Sequence, residues 1–246
     1  MTVVRSLIFN AVFYLNLLVF LVLGLWLFVT PRAWSMAALK LWSRVSQWWL
    51  RTIAGTRVEV RGAEHLPAGA ALVAGKHQSM WETFALFPLL DDPAIVLKRE
   101  LMWIPIFGWY AHKFGMIPVD RTARGTALKW LLRRAEAAVA DNRQILVFPE
   151  GTRRAPDAAP DYKSGATALY LRLNVPCVPF ALNSGLFWPR RKLLRRPGTI
   201  VVEFLPAIPP GLSRREFERR LIEAIEPAAA RLVAEARREI DTPRRP

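Results

Sequence analysis

The sequence predicts an α/β fold: a mixed, mostly parallel sheet flanked by helices, preceded by an N-terminal hydrophobic membrane helix and an amphipathic interfacial helix. Three observations support this. After Gly55, short apolar runs rich in Val, Ile and Leu alternate with stretches of helical periodicity, the pattern of a layered α/β domain. Before Gly55 lies a long, almost uncharged apolar run. The first acidic residue of the chain is Glu59, so the first 55 residues carry Arg5, Arg32, Lys40, Arg44 and Arg51 with no acid. The chain is therefore divided into membrane-anchoring helices at 1–55 and an α/β domain at 56–246.

From Leu7 to Val29 only Asn10, Tyr14, Asn16 and Gly24 interrupt the apolar character. As a helix this run would be about 35 Å long, enough for a hydrocarbon core of roughly 30 Å. Pro31-Arg32-Ala33-Trp34 does not resemble a small-residue cleavage site, which argues against a removed signal peptide. One basic residue precedes the run and several follow it, so the positive-inside rule puts the remainder on the cytoplasmic face of the cell inner membrane. In residues 33–53, Lys40, Arg44, Gln47 and Arg51 form a polar stripe opposite Leu41, Trp42, Val45, Trp48 and Trp49. Such a helix suits a membrane interface, packing on the following domain, or both. Asn10 and Asn16 leave a shallow two-helix hairpin open beside a full span.

In the second part, strands are expected at Arg57–Arg61, Ala71–Ala74, Ala94–Lys98, Met116–Val119, Ile145–Phe148, Cys177–Leu182 and Ile200–Leu205. Helices are expected at Ser79–Leu89, Thr126–Ala140, Gly165–Leu173 and Arg214–Glu239. The basic stretch Arg190–Arg196 reads as an exposed loop, either solvated or touching anionic lipid.

Composition narrows the classes. Lys and Arg total 35 against 20 Asp and Glu, a net charge of +15, and 28 of the basic residues are Arg. That charge calls for nucleic acid, an anionic membrane or a phosphorylated substrate. The apolar content, 52%, excludes a disordered chain, and the single cysteine, Cys177, excludes a disulfide-stapled module. No nucleic-acid module is recognisable among the basic residues. The three histidines, His65, His77 and His112, are scattered and offer no metal-ligand spacing.

Chemistry-bearing residues gather where strands end. His77 follows one predicted strand, and Glu82 lies five residues on. A carboxylate bonded to one imidazole nitrogen fixes the tautomer and frees the other as a general base. Ser79-Met-Trp-Glu82 equally matches a helix capping box, in which Glu82 serves the backbone. Phe148-Pro149-Glu150-Gly151-Thr152-Arg153 follows another strand, with a sharp turn at Gly151, a hydroxyl at Thr152 and, at Arg153, a planar fork suited to phosphate or carboxylate. Lys98 and Arg121 end two further strands. Placed together, these cations read as one phosphate pocket. Cys177, between two prolines of an apolar strand, reads as a buried hydrophobe.

The segments Gly75–Glu82, Gly115–Arg121, Phe148–Arg153 and Val175–Pro179 resemble the four ordered motifs of the glycerolipid acyltransferase family, in particular its bacterial 1-acyl-sn-glycerol-3-phosphate branch. The resemblance covers roughly residues 55–210 and extends to the N-terminal helices. It implies an enzyme of phospholipid biosynthesis in which an acyl chain passes from acyl-CoA or acyl-carrier protein, as co-substrate, to the sn-2 hydroxyl of lysophosphatidic acid. By resemblance His77 is the general base and Glu82, in place of the family's usual Asp, orients it. Lys98, Arg121 and Arg153 bind the phosphate, Glu150, Gly151 and Thr152 shape the pocket, and Val175–Pro179 supports the acyl-donor side. Oxyanion donors are expected among backbone N–H groups at the start of the Ser79 helix. The implied partners are membrane lipid and an anionic phospholipid surface, with no metal, no cofactor and no nucleic acid. Another lysolipid acceptor, such as a lyso-ornithine lipid, fits the same residues. A non-catalytic anionic-lipid or nucleic-acid binding protein would leave His77 and the Glu150–Arg153 turn unexplained.

Overall fold

A computed structural model describes residues 2–120 and 124–242. The helices are α1 (Thr2–Leu23), α2 (Arg32–Trp49), α3 (Glu82–Ala85), α4 (Phe107–Lys113), α5 (Arg124–Ala140), α6 (Ser164–Leu173), α7 (Ser184–Phe187) and α8 (Arg214–Asp241). The strands are β1 (Thr56–Arg61), β2 (Ala71–Gly75), β3 (Pro93–Lys98), β4 (Ile117–Val119), β5 (Gln144–Val147), β6 (Cys177–Leu182) and β7 (Gly198–Phe204). They form one sheet in the order β1-β7-β6-β2-β5-β3-β4. All pairs are parallel except β6–β7. The mixed, mostly parallel sheet expected from the sequence is thus present.

The central strands β2, β5 and β6 are buried at every position. Strands covered on both faces read as unbroken apolar runs. Their side chains alternate between two cores, as the two-residue period demands. Val73, Leu146, Val178 and Phe180 point to one core, and Leu72, Ala74, Ile145, Val147 and Cys177 to the other. Helices α5, α6 and α8 cover the second core through Leu131, Leu169, Phe217, Leu221 and Ile225. On α8, Phe217, Leu221, Ile225, Ala228, Leu232 and Ala236 make the buried stripe, and Ser213 caps the helix by accepting the Glu216 amide.

The first core is roofed by α1 and α2. Phe9, Phe13, Leu27, Met36, Leu39 and Trp42 belong to the same cluster as Val73 and Phe180. The two helices run antiparallel: Arg5 Nε donates to Ile53 O at 2.6 Å, and Asn16 Nδ2 to Ser46 Oγ at 3.0 Å. Both ends of α1 rest on the sheet domain. Near its start, Ser6 Oγ donates to Arg195 O at 3.0 Å and Asn10 Nδ2 to Leu193 O at 2.7 Å. Near its end, the Tyr110 hydroxyl donates to Leu21 O at 3.4 Å. Beyond the turn, Lys113 Nζ donates to Phe28 O at 3.1 Å, and Arg32 forms a bidentate pair with Asp92. The two helices thus form a hairpin packed on the domain. The outward side of the hairpin exposes Val3, Leu7, Leu15, Leu18 and Leu23 of α1 and Trp34, Leu41 and Trp48 of α2. It is a broad apolar surface of the kind that marks a membrane contact.

Two expectations need correction. The helix expected at Ser79–Leu89 is a single turn, α3, followed by a tight turn at Phe87–Leu89. The basic loop Arg190–Arg196 is not uniformly exposed. Arg195 is buried with its guanidinium 4.2 Å from the Trp188 ring centroid, while its backbone is held by Ser6.

Candidate active site

Parallel neighbours β6, β2, β5, β3 and β4 all end on one edge of the sheet. The chain leaving those strands supplies Ser184, His77, Glu150–Arg153, Lys98 and Asp120 respectively. Loops at the carboxyl edge of a parallel sheet converge from separate strands, so residues far apart in sequence share one site.

His77 and Glu82 meet there. The His77 Nδ1 lies 2.9 Å from Glu82 Oε1. Residues five apart on a regular helix would diverge, but the chain from His77 to Trp81 is not helical, and the carboxylate folds back. Glu82 Oε1 also accepts the Gln78 amide at 2.6 Å and the Ser79 amide at 2.7 Å. Oε2 accepts the hydroxyls of Ser79 and Ser184, each at 2.8 Å. Glu82 is fully buried. Burial pushes its carboxyl up, but the bond and charge of His77 and the bonds from Ser79 outweigh that and hold it below the usual carboxylate value. An ionised carboxylate only accepts, so Nδ1 bears the proton and Nε2 is the basic nitrogen of the neutral ring. The ring stacks on Phe148, with centroids 4.2 Å apart.

Glu82 therefore caps the backbone and bonds the imidazole at once. Of the backbone amides at the start of this helix, those of Gln78 and Ser79 bond Glu82 and that of Trp81 bonds Ser79 Oγ.

The turn after β5 packs directly on His77, because the Arg154 amide donates to His77 O at 2.8 Å. Gly151 has φ of 65°, a region an L side chain enters at a cost. Thr152 is exposed and Arg153 half-buried, and the Arg153 guanidinium has no protein partner among the described residues. Glu150 is buried, and its Oε1 accepts Lys76 Nζ at 3.2 Å and lies 3.7 Å from Arg154 Nε. Lys76 is itself buried and bonds Glu226 of α8 at 3.0 Å, and Glu226 accepts the Tyr162 hydroxyl at 2.7 Å. Burial outweighs Lys76 and raises the Glu150 pKa. The residue that the resemblance expects to shape the pocket thus holds its carboxylate in a buried ion-pair cluster with Lys76 and Glu226. Lys76 is adjacent to His77 in sequence, but its partners come from the turn after β5 and from α8.

Lys98 ends β3, is half-exposed and pairs with Glu100 at 2.9 Å. Arg121 lies outside the described residues. The Arg190–Arg196 loop reaches the same edge, where Arg190 Nη1 donates to Arg153 O at 2.7 Å. Cys177 is fully buried in β6, and burial pushes its thiol well up. Among the described residues no group of His, Cys, Asp and Glu could hold a metal ion.

Comparison with known proteins identifies the family and the fold. The family described as Acyltransferase matches residues 57–183. The 1-acyl-sn-glycerol-3-phosphate acyltransferase of Pseudomonas aeruginosa is 38% identical over 167 residues, 68% of this chain and 65% of that protein. The human 1-acyl-sn-glycerol-3-phosphate acyltransferase alpha is 31% identical over 163 residues, 65% of this chain and 58% of that protein. The chain thus spans less than two thirds of the length of these curated relatives. Its fold matches the crystal structure of the 1-acyl-sn-glycerophosphate (LPA) acyltransferase PlsC from Thermotoga maritima. The TM-score is 0.79 at 21% identity, covering 94% of this chain and 98% of that one. With the family match covering half of the sequence and including both His77 and Arg153, the chain belongs to the Acyltransferase family.

Proposed function

We propose that this protein transfers an acyl chain from an acyl thioester, on coenzyme A or acyl-carrier protein, to the sn-2 hydroxyl of 1-acyl-glycerol-3-phosphate, giving phosphatidic acid. The observation that bears most on this is the His77–Glu82 pair at 2.9 Å, seated against the turn that presents Thr152 and Arg153. The relatives' names supply the acceptor.

In this reading Nε2 of His77 takes the proton of the sn-2 hydroxyl as its oxygen attacks the thioester carbonyl carbon. Glu82 stabilises the imidazolium that forms. The tetrahedral intermediate collapses by breaking the carbon–sulfur bond, and the imidazolium proton passes to the departing thiolate. No covalent acyl-enzyme is needed, which agrees with the burial of Cys177. Arg153, with Lys98 and Arg121, holds the acceptor phosphate, and Arg suits that task by its planar pair of donors. The chemistry calls on no metal or cofactor. The α1–α2 hairpin seats the enzyme on the cytoplasmic face of the inner membrane, where its lipid substrate and product reside.

The test is acyl transfer by the purified protein in mixed micelles, with both thioester types and a panel of acceptors. Turnover of lysophosphatidic acid well above lysophosphatidylcholine, lysophosphatidylethanolamine and a lyso-ornithine lipid supports the reading. Preference for one of the others, or turnover undiminished in His77→Ala, overturns it.

A further inference from the structure

Both oxygens of the Glu82 carboxylate are occupied, and one donor comes from outside its own turn. Ser184, fully buried at the exit of β6, places its hydroxyl 2.8 Å from Glu82 Oε2. It is 102 residues away from Glu82 in sequence. The hydroxyl must be the donor, because an ionised carboxylate has no proton to give. Ser184 is also held in place from both sides. The Gln78 side chain donates to Leu182 O at 3.0 Å and accepts the Gly185 amide at 3.0 Å, so it spans the residues flanking Ser184. Asn183 accepts the Val201 amide at 2.9 Å and thereby fixes the same exit to β7. A hydroxyl on so constrained a segment resists rotation of the carboxylate it bonds.

We infer that Ser184 is a positioning residue for acyl transfer: its hydroxyl locks the Glu82 carboxylate in the orientation that aims His77. The inference rests on the reading of His77 as general base. It gives β6 a polar role in the reaction, at the end of the strand whose apolar residues fill the two cores. Among the described residues the only titratable side chain bonded to Glu82 is His77, since Lys76 on the same turn bonds Glu150 and Glu226 instead. Ser184 therefore acts through one contact.

The experiment is a double-mutant cycle on the purified full-length protein. Ser184→Ala should lower kcat about tenfold, the scale of one hydrogen bond to a buried charge, with KM for both substrates unchanged. Added to Glu82→Gln, the same change should cost less than about threefold, because the charge it orients is gone. Ser184→Cys, similar in size and a weaker donor, should fall between wild type and Ser184→Ala, and remains informative should the alanine variant fold poorly. An unchanged kcat in Ser184→Ala, an equal loss in both backgrounds, or a loss appearing in KM alone would overturn the inference. His77→Ala is assayed alongside. Full activity there removes the general-base reading itself, whereas an inactive His77→Ala beside a fully active Ser184→Ala removes only the role of Ser184.

Discussion

Arg154 donates its backbone amide to the carbonyl oxygen of His77 at 2.8 Å, and this bond joins the turn after β5 to the turn after β2. The Thr152–Arg153 segment is therefore registered on His77 by main chain, not by the Arg153 side chain, which has no protein partner among the described residues. Removing that side chain should leave the turn in place. Arg153→Ala is expected to raise KM for a phosphate-bearing acceptor about ten- to a hundredfold, the scale of lost charge-assisted hydrogen bonds. The kcat at saturation should change little. Steady-state kinetics with varied acceptor decide it, and an unchanged KM assigns the phosphate to other cations.

The His77–Glu82 pair answers whether Glu82 caps or orients. Its Oε1 bonds the ring and two backbone amides together, so the two roles cannot be separated by substitution. His77→Ala should lose about 10²–10⁴ in kcat, the usual contribution of a general base. Glu82→Gln should lose both rate and stability, the latter by about 1–3 kcal/mol for hydrogen bonds to a buried charge. Circular-dichroism melting beside the activity assay separates the outcomes. A Glu82→Gln protein as stable as wild type would show that the backbone bonds to Glu82 contribute little.

The strands were legible because central parallel strands must be apolar on both faces, and Leu72–Val73, Ile145–Leu146 and Val178–Phe180 announce this in the sequence. The strand exits followed, and with them His77, Glu150–Arg153 and Lys98. The helix at Ser79 is shorter than its Ser-x-x-Glu start signal implies, because here the carboxylate closes a turn around His77 and only one helical turn follows. Lys76, Glu226 and Ser184 were not legible as site residues. Each is identified by its partner, and those partners lie 74, 150 and 102 residues away. The Arg190–Arg196 cluster shows the same limit: side-chain environment, not composition, separates the buried Arg195 from Arg190 at the Arg153 turn.

Acid sensitivity follows from the Glu82 shift. Its folded pKa lies below the ordinary value of 4.5, so its stabilisation is complete above that pH and is lost as pH falls through the lower folded value. Gln cannot titrate. The difference in unfolding free energy between wild type and Glu82→Gln should therefore shrink as pH falls through the lowered folded value. Glu150 runs the other way. Its raised pKa means that the cost of burying its charge is relieved as pH falls through the folded value. Urea titrations at stepped pH measure both, and a wild-type-to-Gln difference that stays constant far below that value contradicts the assignment of Glu82.

Lys76 is the stability centre beneath the site. Its ammonium, 2% exposed, bridges Glu150 on β5's exit and Glu226 on α8. Lys76→Met leaves buried Glu150 with only the longer Arg154 Nε contact at 3.7 Å, and truncating one member of a buried pair costs about 3–5 kcal/mol. Replacing both, Lys76→Met with Glu150→Leu, should recover most of that loss, since a buried pair exchanged for apolar groups of similar size is close to neutral. Chemical denaturation of the three variants tests this, and equal losses in the single and double variants would mean that the pair was not the source.

The bidentate Arg32–Asp92 pair, with N···O distances of 2.6 and 2.5 Å, ties the turn of the α1–α2 hairpin to the start of β3. A helix crossing the bilayer would carry that turn to the far side and away from Asp92. With the hairpin lying on the domain, the two positions stay adjacent in the membrane. Arg32→Cys combined with Asp92→Cys should accordingly be joined by a short bis-thiosulfonate linker in native membranes as readily as in detergent. The natural Cys177 will not compete, being fully buried with its thiol pKa raised. The linked product runs as a compact monomer after denaturation. A pair that links in detergent but not in membranes would show α1 standing across the bilayer.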